Sequence, residues 1–209
     1  MSKRGKFIAF EGGEGSGKDE NINRLKKKFA GRDDIVFTRE PGGTVQGEQL
    51  RSFLLTPRER KIDVARELVI FVAARAILIE EVIAPAIDAG KSVISNRYHL
   101  STLAYQIHAR ERLNYLPLLQ EMSSVVVQDF LPDKYLLMDV EPEVGIARVR
   151  KRGDGMTSFD AEEISFHHRV RQGYLKHIGD YKHCIIDANQ PLEVVWKEVE
   201  VEIEGLIGS

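Results

Sequence analysis

Short apolar runs alternate with longer stretches of helical period along this chain. Residues 7–10 (FIAF) form the first apolar run and read as a strand. A helix is expected over 19–30, a strand over 35–38 and a helix over 46–55. Residues 64–89 form one long helical stretch that is apolar nearly all round, with Leu68, Phe71, Val72, Ile77, Leu78 and Val82. Such a helix must be covered on most faces, by the core or by a second copy of the chain. After a turn at Gly90 come a strand over 92–95 and helices over 100–108 and 116–129. Residues 134–139 (KYLLMD) read as a buried strand and 142–152 as a helix. Residues 153–158 carry two glycines and no apolar period, so they read as a loop. An amphipathic helix over 164–178, a strand over 184–187 and a helix over 192–207 complete the pattern. Five strands with crossover helices predict an α/β fold, a parallel sheet with helices on both faces. Ligands in such sheets bind at the carboxyl ends of the strands.

Composition narrows the function classes. The 209 residues are 43% apolar and 30% charged, which suits one globular domain over 1–209 with a substantial core. A net charge of −2 argues against broad, charge-driven binding to nucleic acid. Anion binding must come from locally placed groups. Cys184 is the only cysteine, so no intrachain disulfide and no thiolate metal cage can form. Within Cys184–Ile185–Ile186 it reads as a small buried hydrophobe. No stretch reaches the ~18 uncharged apolar residues of a membrane span. The run at 7–10 is much too short for a signal peptide, so the chain is expected to stay in the cytoplasm.

The chemistry begins directly after the first strand. Gly12-Gly13-Glu14-Gly15-Ser16-Gly17-Lys18 fits G-x-x-x-x-G-K between a strand and a helix. Glycines let successive backbone N–H groups face one anion, and the helix N-terminus adds partial positive charge. Lys18 would reach the β- and γ-phosphates of a nucleotide. Asp19 stands where a Ser or Thr usually offers its hydroxyl to Mg²⁺. A carboxylate can also hold Mg²⁺, directly or through water, and Asp19 also suits a helix N-terminus.

Four further segments are informative: Thr38-Arg39-Glu40-Pro41-Gly42-Gly43-Thr44, the stretch Phe71 to Arg75, Asn96-Arg97-Tyr98 with Ser101 to Gln106, and Phe166 to Leu175. Together with residues 7–18 they resemble bacterial-type thymidylate kinases, in order, over about residues 6–190. The resemblance implies a P-loop NTPase fold with a short lid at about 152–162. It further implies transfer of a phosphoryl group from ATP, with Mg²⁺, to dTMP in a homodimer. On that basis 12–19 would hold ATP, with Asp19 at the metal. Phe71 would stack on the thymine, while Ser101, Tyr105 and Gln106 would hold the base. Arg97 and Arg51 would clamp the acceptor phosphate, and Glu14 and Glu40 would order the sugar or metal waters. Arg75, between two alanines of an apolar helix, needs an anion. The 5′-phosphate of dTMP and an internal salt bridge both answer that need.

Three departures from the family pattern fall at catalytic positions: Asp19, Asn96 in place of an aspartate, and Ser158 in place of a lid arginine. The phosphate loop holds no arginine either. Such a cation is worth about 10³–10⁵ in rate. Arg148, Arg150, Lys151 and Arg152 precede the lid, and Arg152 is the candidate to supply it. Two readings therefore stand: an active kinase for dTMP or another pyrimidine monophosphate, and a nucleotide-binding protein that has lost turnover.

Overall fold

The computed structural model describes residues 4–56, 62–152, 159 and 162–208. Its five strands are β1 (Phe7–Glu11), β2 (Ile35–Arg39), β3 (Ser92–Asn96), β4 (Lys134–Asp139) and β5 (His183–Asp187). All pair in parallel, in the order β2-β3-β1-β4-β5. The first strand is thus central, flanked on each side by a strand that follows later in the chain.

Period-two alternation sorts the strand residues into two cores. Phe7, Ala9, Val93, Tyr135 and Leu137 face one side, against α2 (Val45–Leu55), α3 (Val64–Leu78), α6 (Leu116–Val127) and α8 (Ile164–Ile178). Ile8, Phe10, Ile94, Leu136 and Met138 face the other, against α1 (Lys18–Lys28) and α9 (Leu192–Ile207). Every residue of β1 is buried, as a strand covered on both faces requires. The result is a three-layer α/β fold, as the alternating pattern implies.

Two expected helices are broken differently from the apolar pattern. The stretch 64–89 is α3, a π turn over Ile79–Ile83 and then α4 (Ala84–Asp88). Pro85 has no N–H to offer the carbonyl of Glu81, so the α-helical bonding cannot run through this point. The stretch 100–108 is α5 (His99–Thr102) followed by a π segment, Leu103–Ala109. Coverage of α3 is also incomplete: Val69 is 55% exposed. Cys184 lies on the edge strand β5 and is half-buried rather than buried. Residues 153–158, with Ser158 and most of the expected lid, lie outside the described residues.

Candidate active site

The carboxyl ends of β1, β2 and β3 open onto one cavity of about 270 Å³. Its first wall is the turn from β1 into α1. Gly12 (φ 144°), Gly15 (φ 68°) and Gly17 (φ 82°) all take positive φ. At Gly15 a Cβ would also run into the carbonyl of Gly145 on α7 (Pro142–Arg152), so only glycine fits there. Lys18, at the start of α1, folds back on the loop and donates to the carbonyls of Gly12 (2.8 Å) and Gly13 (2.9 Å) and to Ser16 Oγ (2.9 Å). Burial and the like charge of Arg97 push its ammonium down to about 7, against the pull of Glu14 and Asp19.

Arg97 ties this loop to the opposite wall. It follows β3 in the left-handed region (φ 70°), uncommon for a residue with a side chain. Its N–H bonds the Phe10 carbonyl (2.8 Å) and its own carbonyl accepts from Ser95 Oγ (2.7 Å). The guanidinium donates to Gly12 O (2.9 Å) and Glu14 Oε1 (2.8 Å) on the loop. On the other side it reaches Ser101 Oγ (3.2 Å), Tyr105 Oη (3.1 Å) and Tyr174 Oη (3.0 Å). Tyr105 also donates to Glu14 (2.7 Å). Burial raises the Glu14 carboxyl, but Arg97 and Lys18 outweigh it and hold the group below the usual carboxylate range.

Phe71, Tyr105 and Gln106 line the same cavity with Arg39, Arg51 and Arg152. Arg51 is half-buried and donates to the Pro41 carbonyl (2.9 Å). Arg75 is paired within the protein. It is fully buried and forms a two-pronged pair with Glu40, Nε to Oε2 at 3.0 Å and Nη2 to Oε1. Thr102 Oγ1 accepts a further bond (2.8 Å), and the Tyr98 ring lies under the guanidinium at 5.3 Å. Glu40, Tyr98 and Thr102 line the cavity; Arg75 lies outside that lining. Its charge is therefore answered inside the protein by the internal salt bridge, one of the two answers expected for it, and Glu40 is the acid that supplies it. Arg75 Nη1 alone keeps no partner.

Asp19 and Asn96 meet across the cavity floor, the amide donating to Asp19 Oδ1 at 2.5 Å. The buried Asn96 Oδ1 has no partner. A carboxylate and an orphaned amide oxygen suit Mg²⁺, which prefers oxygen ligands and takes the rest from phosphates and water. Among the described residues no group of three or more His, Cys, Asp or Glu gathers for a metal.

A family model described as thymidylate kinase matches residues 10–199. The chain belongs to the thymidylate kinase family. It is 39% identical over 196 residues to thymidylate kinase from Hahella chejuensis, covering 92% of this chain and 93% of the relative. With the Protochlamydia amoebophila thymidylate kinase the identity is 42% over 198 residues, 90% of this chain and 87% of that one. The crystal structure of thymidylate kinase from Ehrlichia chaffeensis superposes with a TM-score of 0.74 at 27% identity, covering 96% of this chain and 99% of the other.

In this thymidylate kinase family member, the residues expected at the site other than Arg75 fall into two groups. Glu14 to Asp19, Glu40, Arg51, Phe71, Arg97, Ser101, Tyr105, Gln106 and Arg152 line one cavity, while Gly12 and Gly13 shape the loop behind it. Among the basic residues ending α7, only Arg152 lines the cavity. Arg148 instead binds the carbonyls of Ala188 (2.7 Å) and Gly15 (3.4 Å). Two residues were missed. Glu11 is fully buried, and burial lifts its carboxyl to about 7 against the bonds from Ser101 and the pull of Arg97. Tyr174 connects α8 to Arg97. A lone acid closing the apolar strand FIAFE was the available signal for Glu11; Tyr174 sits in a segment that carried resemblance without a role.

Proposed function

We propose that this protein, as one domain in a cytoplasmic homodimer, phosphorylates dTMP with ATP. The reading is carried by Arg97, which bonds both the phosphate loop and the Ser101–Tyr105 wall. A group so placed can hold an acceptor phosphate against the donor's γ-phosphate and balance charge during transfer.

The backbone N–H groups of 12–18 and Lys18 cradle the triphosphate, and Lys18 exchanges its loop carbonyls for phosphate oxygens. Arg97 and Arg51 hold the 5′-phosphate of dTMP, one of whose oxygens attacks the γ-phosphorus. The bond from that phosphorus to the β–γ bridging oxygen breaks, leaving dTDP and ADP. Phe71 offers a face to the thymine, and Gln106 offers an amide to its edge. The Arg75 Nη1 is a remaining donor for a ligand oxygen. Arg152 supplies the guanidinium that the phosphate loop, whose one cation is Lys18, does not carry. Asp19 and Asn96 would hold Mg²⁺, which when bound neutralises charge on the β- and γ-phosphate oxygens.

Dimerisation is supported by exposed Phe53, Val69, Leu118 and Val125. They lie on α2, α3 and α6, which pack side by side. Exposed apolar residues on three adjacent helices are the kind of surface a second copy covers.

Calorimetric titration with nucleoside monophosphates tests the acceptor assignment. dTMP should bind and dAMP and dGMP should not, because a purine edge presents the Gln106 amide with other donors and acceptors than thymine does. Equal binding of purines would overturn the assignment.

A further inference from the structure

Glu11 is a charged group sealed beneath the site, and its side-chain bonds lead to the segment carrying Arg97 and to Tyr174. Its Oε1 accepts the backbone N–H groups of Tyr98 (2.9 Å) and Ser101 (3.3 Å). Its Oε2 accepts from Ser101 Oγ (2.6 Å) and Tyr174 Oη (3.2 Å). Ser101 Oγ and Tyr174 Oη lie 2.7 Å apart, and both receive Arg97 Nη1. The carboxylate thus fixes the backbone just after the left-handed Arg97 and, through two hydroxyls, the far end of the same side chain.

We infer that Glu11 is a positioning residue for Arg97, holding its strained backbone and its guanidinium in the orientation that receives the acceptor phosphate. The inference rests on the proposed role of Arg97. A carboxylate suits the task because it only accepts, and four donors converge on it. A neutral acid or an amide must point a hydrogen at one of those donors, which turns the Ser101 hydroxyl and loosens the ring around Arg97. A fully buried carboxylate is costly unless hydrogen-bonded, and the donors that meet this need at Glu11 are the groups that also surround Arg97. Sequestered from solvent, Glu11 touches no substrate and acts only through Arg97, Ser101 and Tyr174.

Glu11→Gln tests this at pH 8, with binding of dTMP and of ATP measured separately by calorimetry. Loss of one charged acceptor at a buried site should weaken dTMP binding about tenfold to hundredfold while ATP affinity stays within about twofold. Unchanged dTMP affinity, or equal loss of both ligands, overturns the inference. If Glu11→Gln does not fold, Tyr174→Phe decides the matter: a selective loss for dTMP supports the linkage and a silent substitution refutes it. Wild type that binds no dTMP would overturn the proposed function itself, whereas wild type and Glu11→Gln binding dTMP alike would overturn the positioning role alone.

Discussion

Replacing Glu40 by Gln should remove the carboxylate bonded to Arg75 while keeping the shape of its side chain. The guanidinium is fully buried, the carboxylate is 3% exposed, and among the described residues Thr102 and the Tyr98 ring remain as partners. Breaking a buried pair by removing one partner costs about 3–5 kcal/mol, because a charge is left without its counter-ion. At about 2–4 °C per kcal/mol for a chain of this size, Tm should fall by about 6–20 °C. The double variant Glu40→Gln/Arg75→Met removes both charges and should lose much less than Glu40→Gln and Arg75→Met added together. Urea unfolding of the four proteins, at one protein concentration because association shifts the midpoint, gives the free energies directly. A cost under about 1 kcal/mol for Glu40→Gln, or full additivity, would show that the pair does not hold this wall. Burial raises the Glu40 carboxyl and Arg75 opposes the rise, so the loss should be largest where the pair is ionised.

Three further outcomes follow from the site and the surface. Lys18→Ala should lose ATP binding without loss of Tm, and wild type should take up a proton on binding ATP at pH 8. The sign follows from burial: Lys18 titrates near 7 in the free protein, and a triphosphate beside it raises that value, so the ammonium reforms. Buffer-independent binding enthalpies would contradict this. Light scattering at micromolar concentration should give about twice the 23.7 kDa chain mass, and a clean monomer would mean that Val69 and Val125 simply face solvent.

What the sequence made legible was local. The strands could be read because each is a short apolar run, and the phosphate loop because its glycines and lysine lie within seven residues. The π turns could not, since a change in hydrogen-bond partner leaves the apolar pattern almost untouched; Pro85 was the one visible cue. The Arg75–Glu40 pair joins residues 35 apart in sequence, and nothing local says which of several acids will meet a buried arginine. The same holds for Glu11, whose donors come from the turn after β3 and from α8. The meeting of Asp19 and Asn96 illustrates the point again. Each was visible as an unusual residue, and only the fold brings one against the other.

Turnover decides between a working kinase and a protein that only binds nucleotides. ADP release from ATP and Mg²⁺, coupled to a spectroscopic readout and run with dTMP, dUMP, dAMP and dGMP, measures it directly. ADP release should be rapid with dTMP and small with either purine, and kcat should collapse in Arg152→Ala with dTMP binding retained. Bound dTMP with no ADP released by the wild-type protein would contradict the proposed phosphorylation of dTMP.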